Sequence, residues 1–195
     1  MNTISHENTI IYFFNLLYIT TVEMRSLAFL SLLALPAVRA DYNTVLEDID
    51  NISTLLATLT DDVKAVVPGI PGLPYALQVQ VDAVNLDKCI QTGAADANAS
   101  EPFGGGSLQV GLALINLKPE IESSLKQIGD KNETFGELGV IVLSSLLQLK
   151  RDTTAFSDQI VPKLADFEAG IAPGIVEDIE RAFDGAIAAY KSNAL

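Results

Sequence analysis

From Val45 onward the apolar residues Val45, Ile49, Ile52, Leu56, Leu59, Val63 and Val66 recur every three or four positions, with Asp and Thr between them. Only a period near 3.6 residues returns side chains to one face at such steps, so the spacing predicts an amphipathic helix. Pro68-Gly69-Ile70-Pro71-Gly72-Leu73-Pro74 then stops it, because clustered Pro and Gly cannot continue a helix. A second helix is predicted over about 75–92. Val79, Ala83, Leu86 and Ile90 lie on one face of it with Leu77, Val81 and Val84 beside them, a surface wide enough to be covered from two sides. Residues 93–107, small, polar and glycine-rich, read as the longest loop. No Gly-Lys-Ser/Thr follows these glycines and no strand precedes them, which marks a flexible connection rather than a phosphate cradle.

A third helix is expected over 108–128, striped by Val110, Leu114, Leu117, Ile121, Leu125 and Ile128 and bent or split at Pro119. After a turn at 129–132, the series Phe135, Val142, Leu149, Phe156 interleaves with Leu146, Thr153, Ile160 and Phe167. That register predicts one long fourth helix kinked near Pro162. Gly170-Ile171-Ala172-Pro173-Gly174 reads as a break before a last helix carrying Ile175, Ile179, Phe183, Ala186, Ile187 and Tyr190. Nowhere does period-two alternation last a strand's length. The expected fold class is all-α, a single antiparallel bundle of about five helices with kinked third and fourth members.

The N-terminal segment does not fit that bundle. Residues 24–40, MRSLAFLSLLALPAVRA, have the form of a signal peptide: Arg25 as the positive start, Leu27 to Leu35 as the apolar run, Pro36 as the break, and Ala40 at the cleavage point. The run is too short to span a bilayer, so removal is expected rather than a retained anchor. Residues 1–23 are either an extension ahead of a true start at Met24 or part of one long presequence. The working domain is thus expected to be 41–195, large enough for a real core, since chains of about 150 residues bury roughly 68–70% of their unfolded surface. The ending YKSNAL lacks the hydrophobic tail of a lipid-anchor signal, so no anchor is expected in the mature chain.

Composition narrows the chemistry. After Ala40 there is no His and no Trp, only Cys89, and 10 basic against 23 acidic residues give a net charge of −13. Most acid-base, nucleophilic and metal chemistry at neutral pH draws on His or Cys, so neither a catalytic centre nor a metal or other cofactor is expected. Such an acidic surface also repels nucleic acid and anionic headgroups. Cys89 has no partner for a disulfide and reads as a small hydrophobe on a helix. The acidic runs Glu47-Asp48-Asp50, Asp61-Asp62 and Glu177-Asp178-Glu180 read as solvated helix faces. Sequons at Asn51, Asn98 and Asn132 would suit a secreted glycoprotein, with Asn98 and Asn132 in loop-like sequence and Asn51 within a helical pattern.

The signal peptide, the long Val/Ile/Leu-striped first helix, the Pro/Gly break, the glycine-rich stretch, the Pro-containing third helix and the ending FDGAIAAYKS together resemble the hydrophobic surface-binding protein A and cell-wall galactomannoprotein family of filamentous fungi. The resemblance spans essentially all of 41–193 and rests on layout and hydrophobic spacing. It implies a secreted or wall-associated helical domain that binds hydrophobic material: fatty acids or other lipids inside the bundle, or apolar solid surfaces, on which a member recruits a secreted polyester hydrolase. Small residues among large ones, such as Ala57, Ala83, Ala113, Gly139, Ala172, Gly185 and Ala186, serve either a void or close helix approach. If a lipid lies inside, its expected apolar lining is Ile49, Ile52, Leu56, Leu59, Val84, Leu114, Leu117, Ile121, Val142, Leu146, Leu149, Ile179, Phe183 and Ile187. A buried carboxyl head needs donors, and Ser144, Ser145 and Gln148 are the first candidates, Ser123 and Ser124 the second.

Overall fold

The computed structural model describes residues 40–193, so the presequence reading of 1–23 and 24–40 lies outside the described residues apart from Ala40. Asp41 starts the first helix: its carboxylate accepts backbone N–H bonds from Asn43 at 2.9 Å and Thr44 at 3.1 Å. Those donors have no partner in a preceding turn, and satisfying them holds the Asp41 carboxyl below its usual pKa. Helix α1 (Tyr42–Ala65) buries the predicted stripe from Val45 to Val63. The Pro/Gly segment follows, closed by a tight turn at Ile70–Gly72. Gly72 is obligatory there, because a Cβ would lie 1.6 Å from the Val67 carbonyl oxygen.

Helix α2 (Leu73–Ala99) runs well beyond the predicted end at 92. The expected long loop is therefore reduced to 100–103 and a turn at Gly104–Gly106. Gly93, which looked like a loop residue, is buried inside the helix; a Cβ on it would sit 3.0 Å from Phe156 Cε2 and 3.2 Å from Asp48 Cβ. Its bare backbone lets α2 approach both neighbours, and the alanines that follow are strong helix formers. Two lysines cap helix ends by reaching across the bundle. Lys131 Nζ donates to the carbonyls of Lys64 at 3.0 Å and Val66 at 2.8 Å at the end of α1, while Lys163 Nζ serves Asn98, at 2.8 Å, and Ser100 at the end of α2.

Helix α3 (Ser107–Asp130) passes through Pro119 as one element. Helix α4 (Gly139–Ile160) is shorter than the long kinked helix predicted: Phe135 belongs to a separate turn, and Pro162 lies in a tight turn after α4 ends. The register continued in sequence because Phe135 packs into the same core, its ring 6.2 Å from that of Tyr190. Helix α5 (Asp166–Asn193) begins before the predicted break and carries Pro173 in its interior. Proline at this position costs only the bond to the Ala169 carbonyl, and the apolar stripe on either side holds the helix together.

The five long helices close into a ring in the order α1, α2, α4, α5, α3, each packed mainly on two neighbours, with α4 against α5 the thinnest seam. Consecutive helices run antiparallel, yet the ring order places parallel pairs side by side. Ser53 meets Glu120 and Thr60 meets Ser124 along α1 and α3; Gln80 meets Ser145 and Gln91 meets Asp152 along α2 and α4. The fold is all-α, as expected.

Two measurements check this packing. Gly93→Ala is expected to cost about 1–3 kcal/mol in denaturant unfolding, because the added methyl must displace Phe156 or part α1 from α2. Lys131→Met should cost about 1–2 kcal/mol by the same measurement, through the two uncapped carbonyls of α1.

Candidate functional site

The stripes of all five helices converge on an enclosed slot along the axis of the ring. Ile52, Leu56 and Leu59 line it from α1, Leu86 and Ile90 from α2, and Leu114, Leu117, Ile121, Leu125 and Ile128 from α3. Leu149, Phe156 and Ile160 come from α4, and Ala172, Ile175, Val176, Ile179 and Phe183 from α5. The space between these side chains is about 890 Å³ including its opening to solvent, but the centre of a water molecule can move through only about 80 Å³ of it. The slot is long and narrow, with walls nearly in contact.

No ionisable side chain lies on this wall. Its polar groups are the hydroxyls of Ser124, Thr153 and Ser157. Ser124 is 1% exposed and hydrogen-bonded to Thr60 at 2.8 Å, and Ser157 donates to the Thr153 carbonyl at 2.7 Å. Apart from Leu114 on α3, the half-buried members of the wall, Thr153 and Ser157 on α4, Val161 in the turn after it, and Ile175, Val176 and Ile179 on α5, stand on the two sides of the thinnest seam. Charged contacts rim that seam outside: Lys150 Nζ lies 2.6 Å from Asp184, and the Thr154 hydroxyl donates to Glu180 at 3.4 Å.

Of the residues expected to line a cavity, Ile52, Leu56, Leu59, Leu114, Leu117, Ile121, Leu149, Ile179 and Phe183 stand on the wall. Ile49, Leu146 and Ile187 are buried in the surrounding core instead, and Val142 is half-buried against it. Val84 is placed differently: it is 41% exposed, because it follows the inward Ala83 by one residue and a helix turns about 100° at that step. The same geometry turns the proposed head-group donors away. Ser145 and Gln148 each precede an inward leucine, and with Ser144 they line an outer groove between α2 and α4. There the Ser145 hydroxyl donates to Gln80 at 2.9 Å and Gln148 Nε2 to Asp152 at 2.8 Å. Ser124 of the second-choice pair does reach the slot.

Sequence reasoning did not assign Thr153, Phe156, Ser157, Ala172, Ile175 or Val176 to the site. Thr153 and Phe156 continue the Leu146 and Leu149 register and were legible; Ala172 was hidden beside Pro173. Cys89 is half-buried, and burial together with nearby Asp48 raises its thiol pKa, which keeps it protonated. Of the sequons, Asn51 and Asn98 are exposed on helices, Asn98 within α2 rather than in a loop. Asn132 is half-buried, its Nδ2 donating to the Ala189 carbonyl at 2.9 Å.

Among the described residues no helix is long and apolar enough to cross a membrane. No curated protein matches the sequence significantly. Among solved structures the chain is similar to Afmp4p in complex with palmitic acid, at 31% identity and a TM-score of 0.73, over 77% of this chain and 99% of that one. It is also similar to two ligand-binding domains of the Penicillium marneffei MP1 protein complexed with arachidonic acids. Domain 1 is 17% identical with a TM-score of 0.68, over 74% of this chain and 94% of that one. Domain 2 is 19% identical with a TM-score of 0.69, over 80% and 96%. These last two likenesses establish a shared fold. Residues 42–162 match the family model described as hydrophobic surface binding protein A. With that match and the 31% identity over nearly all of a relative, the chain belongs to the hydrophobic surface binding protein A family.

Proposed function

We propose that this protein is a secreted, non-enzymatic carrier that takes a long-chain fatty acid or related lipid into the axis of its helical ring, outside the cell or at the wall. The observation that supports it is the slot itself, walled by aliphatic and aromatic side chains from every helix and free of charge. Its 31% identical relative in complex with palmitic acid supports the same class of ligand.

The closed slot is too small for the guest. A cavity that accepts benzene measures about 150 Å³, so 80 Å³ cannot receive an acyl chain until helices part. Burying about sixteen carbons yields on the order of 12 kcal/mol gross at about 0.8 kcal/mol per methylene, against roughly 4–15 kcal/mol for association. Affinity is therefore set by the cost of widening. The α4–α5 seam is the place that gives, and an acyl carboxylate stays there in reach of water and of the Thr153 and Ser157 hydroxyls, because an unpaired charge is not buried.

A second reading, adsorption to apolar solids, is supported by a separate observation. Ile70, Leu73, Leu77, Val81 and Val84 follow one another at helical steps and are all exposed, Ile70 by 87%, with Val140, Ile141 and Leu147 exposed on neighbouring α4. Leu108, Leu112 and Ile115 on α3, with Phe167 and Ile171 on α5, form a second exposed set. Exposed apolar side chains grouped in this way mark a surface suited to contact with apolar material. On a waxy solid these stripes would seat the intact bundle and offer its acidic remainder to a secreted polyester hydrolase.

For the carrier, native mass spectrometry after incubation with palmitate or arachidonate should show a one-chain adduct on the wild type. In Ala172→Leu, whose larger side chain fills the slot, the adduct should fall at least tenfold while helicity is retained; an undiminished adduct would mean that lipid binds elsewhere. For adsorption, Leu77→Glu/Val81→Glu should reduce retention on alkyl-coated beads several-fold and leave acyl uptake unchanged. Equal retention would remove α2 from the contact.

A further inference from the structure

Three buried carboxylate oxygens have no hydrogen-bond donor among the described residues: Asp48 Oδ2, Asp82 Oδ2 and Asp87 Oδ1. Each belongs to an aspartate that meets another aspartate across a seam of α2. Asp48 of α1 faces Asp96 of α2, Asp62 of α1 faces Asp82 of α2, and Asp87 of α2 faces Asp152 of α4, with Gln91 donating to both members of the third pair. Two carboxylates cannot bond to each other, since both only accept, so each contact requires one proton held between the pair. We infer that three shared protons clasp α2 to both its neighbours, and that their loss loosens α2 and lets the slot widen for the acyl chain that enters at the α4–α5 seam.

The surroundings favour the shared proton at each pair. Asp48 and Asp82 are each 7% exposed. The charged groups acting on Asp48 are Asp96 from α2 and Glu47 from its own helix, and the Cys89 thiol of α2 stands nearby. Asp62 faces Asp82 from across the seam, with Asp61 beside it; Gln78 donates to Asp82 Oδ1 at 3.0 Å and leaves Oδ2 without a donor. Only the third pair has a cation acting on it, Arg151 of α4, which opposes protonation. Gln91 donates to Asp87 Oδ2 at 3.0 Å and to Asp152 Oδ2 at 2.8 Å, and Gln148 donates to that same Asp152 oxygen at 2.8 Å. Asp152 is thereby fixed as the ionised acceptor, its carboxyl held below the usual range, and Asp87 as the proton donor.

The direction with pH follows. Burial, then the facing aspartate, raises Asp48 from 3.8 to about 6, and burial with the Asp152 bond does the same at Asp87. A carboxyl whose folded pKa exceeds its unfolded one stabilises the fold below about pH 4 and loses that contribution as pH rises through about 6. The folding constant falls as these carboxyls ionise. The clasp lies close to the slot: Asp48 and the wall residue Phe156 both crowd the point where a Cβ on Gly93 would stand, at 3.2 and 3.0 Å, and Leu86 and Ile90 of α2 are themselves wall residues. The gating half of this inference rests on the carrier reading; the clasp does not.

The test uses the mature protein and Asp48→Asn/Asp62→Asn/Asp87→Asn, whose amides donate to the facing carboxylates at every pH. Asp41 and Asp178, held low by partners that the variant keeps, lose stabilisation in acid in both proteins, so the comparison cancels them. Carboxyl carbon NMR of the wild type should show Asp48 and Asp87 titrating near pH 6; titration of both near 4 overturns the clasp, even if the variant fails to fold. Thermal unfolding should find the variant level with the wild type at pH 4.5 and more stable at pH 7.5, and a variant less stable at pH 7.5 overturns it too. Uptake of an uncharged fluorescent fatty alcohol should quicken several-fold from pH 5 to 7.5 in the wild type and stay flat in the variant. Flat uptake in both overturns the gate. No uptake by either at any pH overturns the carrier reading and the gate with it, while the NMR titration still decides the clasp.

Discussion

Five helices in a ring cannot all touch the axis. With neighbours about 8–10 Å apart, each helix axis stands about 7–8.5 Å from the centre, and only side chains can fill what remains. Here Leu, Ile and Phe from every helix reach inward and almost meet. The fold thus holds its apolar faces together and retains an under-filled line at its middle. Stability and capacity for a guest come from the same arrangement, and a tighter four-membered bundle would give up the second.

The seams differ in chemistry, and so in how they respond to the medium. Those of α2 join acid to acid, through Asp48 with Asp96, Asp62 with Asp82, and Asp87 with Asp152. Those of α5 join base to acid, through Lys118 with Asp178 at 2.5 Å on α3 and Lys150 with Asp184 at 2.6 Å on α4. Acidification tightens the first kind and slackens the second. The ion pairs are partly exposed, with both lysines 27% exposed, and are screened by salt, which leaves the buried carboxyls as the more consequential contacts.

Much of the fold was legible in the chain because the helical period is written in large aliphatic residues. The stripe of α1 appears residue for residue in the core, from Val45 to Val66. Reading failed where Gly and Pro were taken as punctuation. Gly93 permits a close approach inside α2, and Pro173 is carried within α5, so two loops were expected where helix continues. Periodicity also assigns a side chain to a face only within about 100°, which separates Leu149 on the wall from Gln148 on the outer groove. The aspartate pairs were invisible to it, since Asp48 and Asp96 look like ordinary solvated acids until α1 and α2 lie side by side.

The first turns of α5 have a thermodynamic character of their own. Gly170, Pro173 and Gly174 deprive this stretch of intrinsic helicity, so the segment keeps its shape only through the neighbours it leans on. It borders the thinnest seam, and backbone amides there belong to the low end of the local opening free energies. An acyl chain resting on Ala172, Ile175 and Val176 would add the missing contacts, so occupancy of the interior would register as slowed deuterium exchange in a helix that barely changes form.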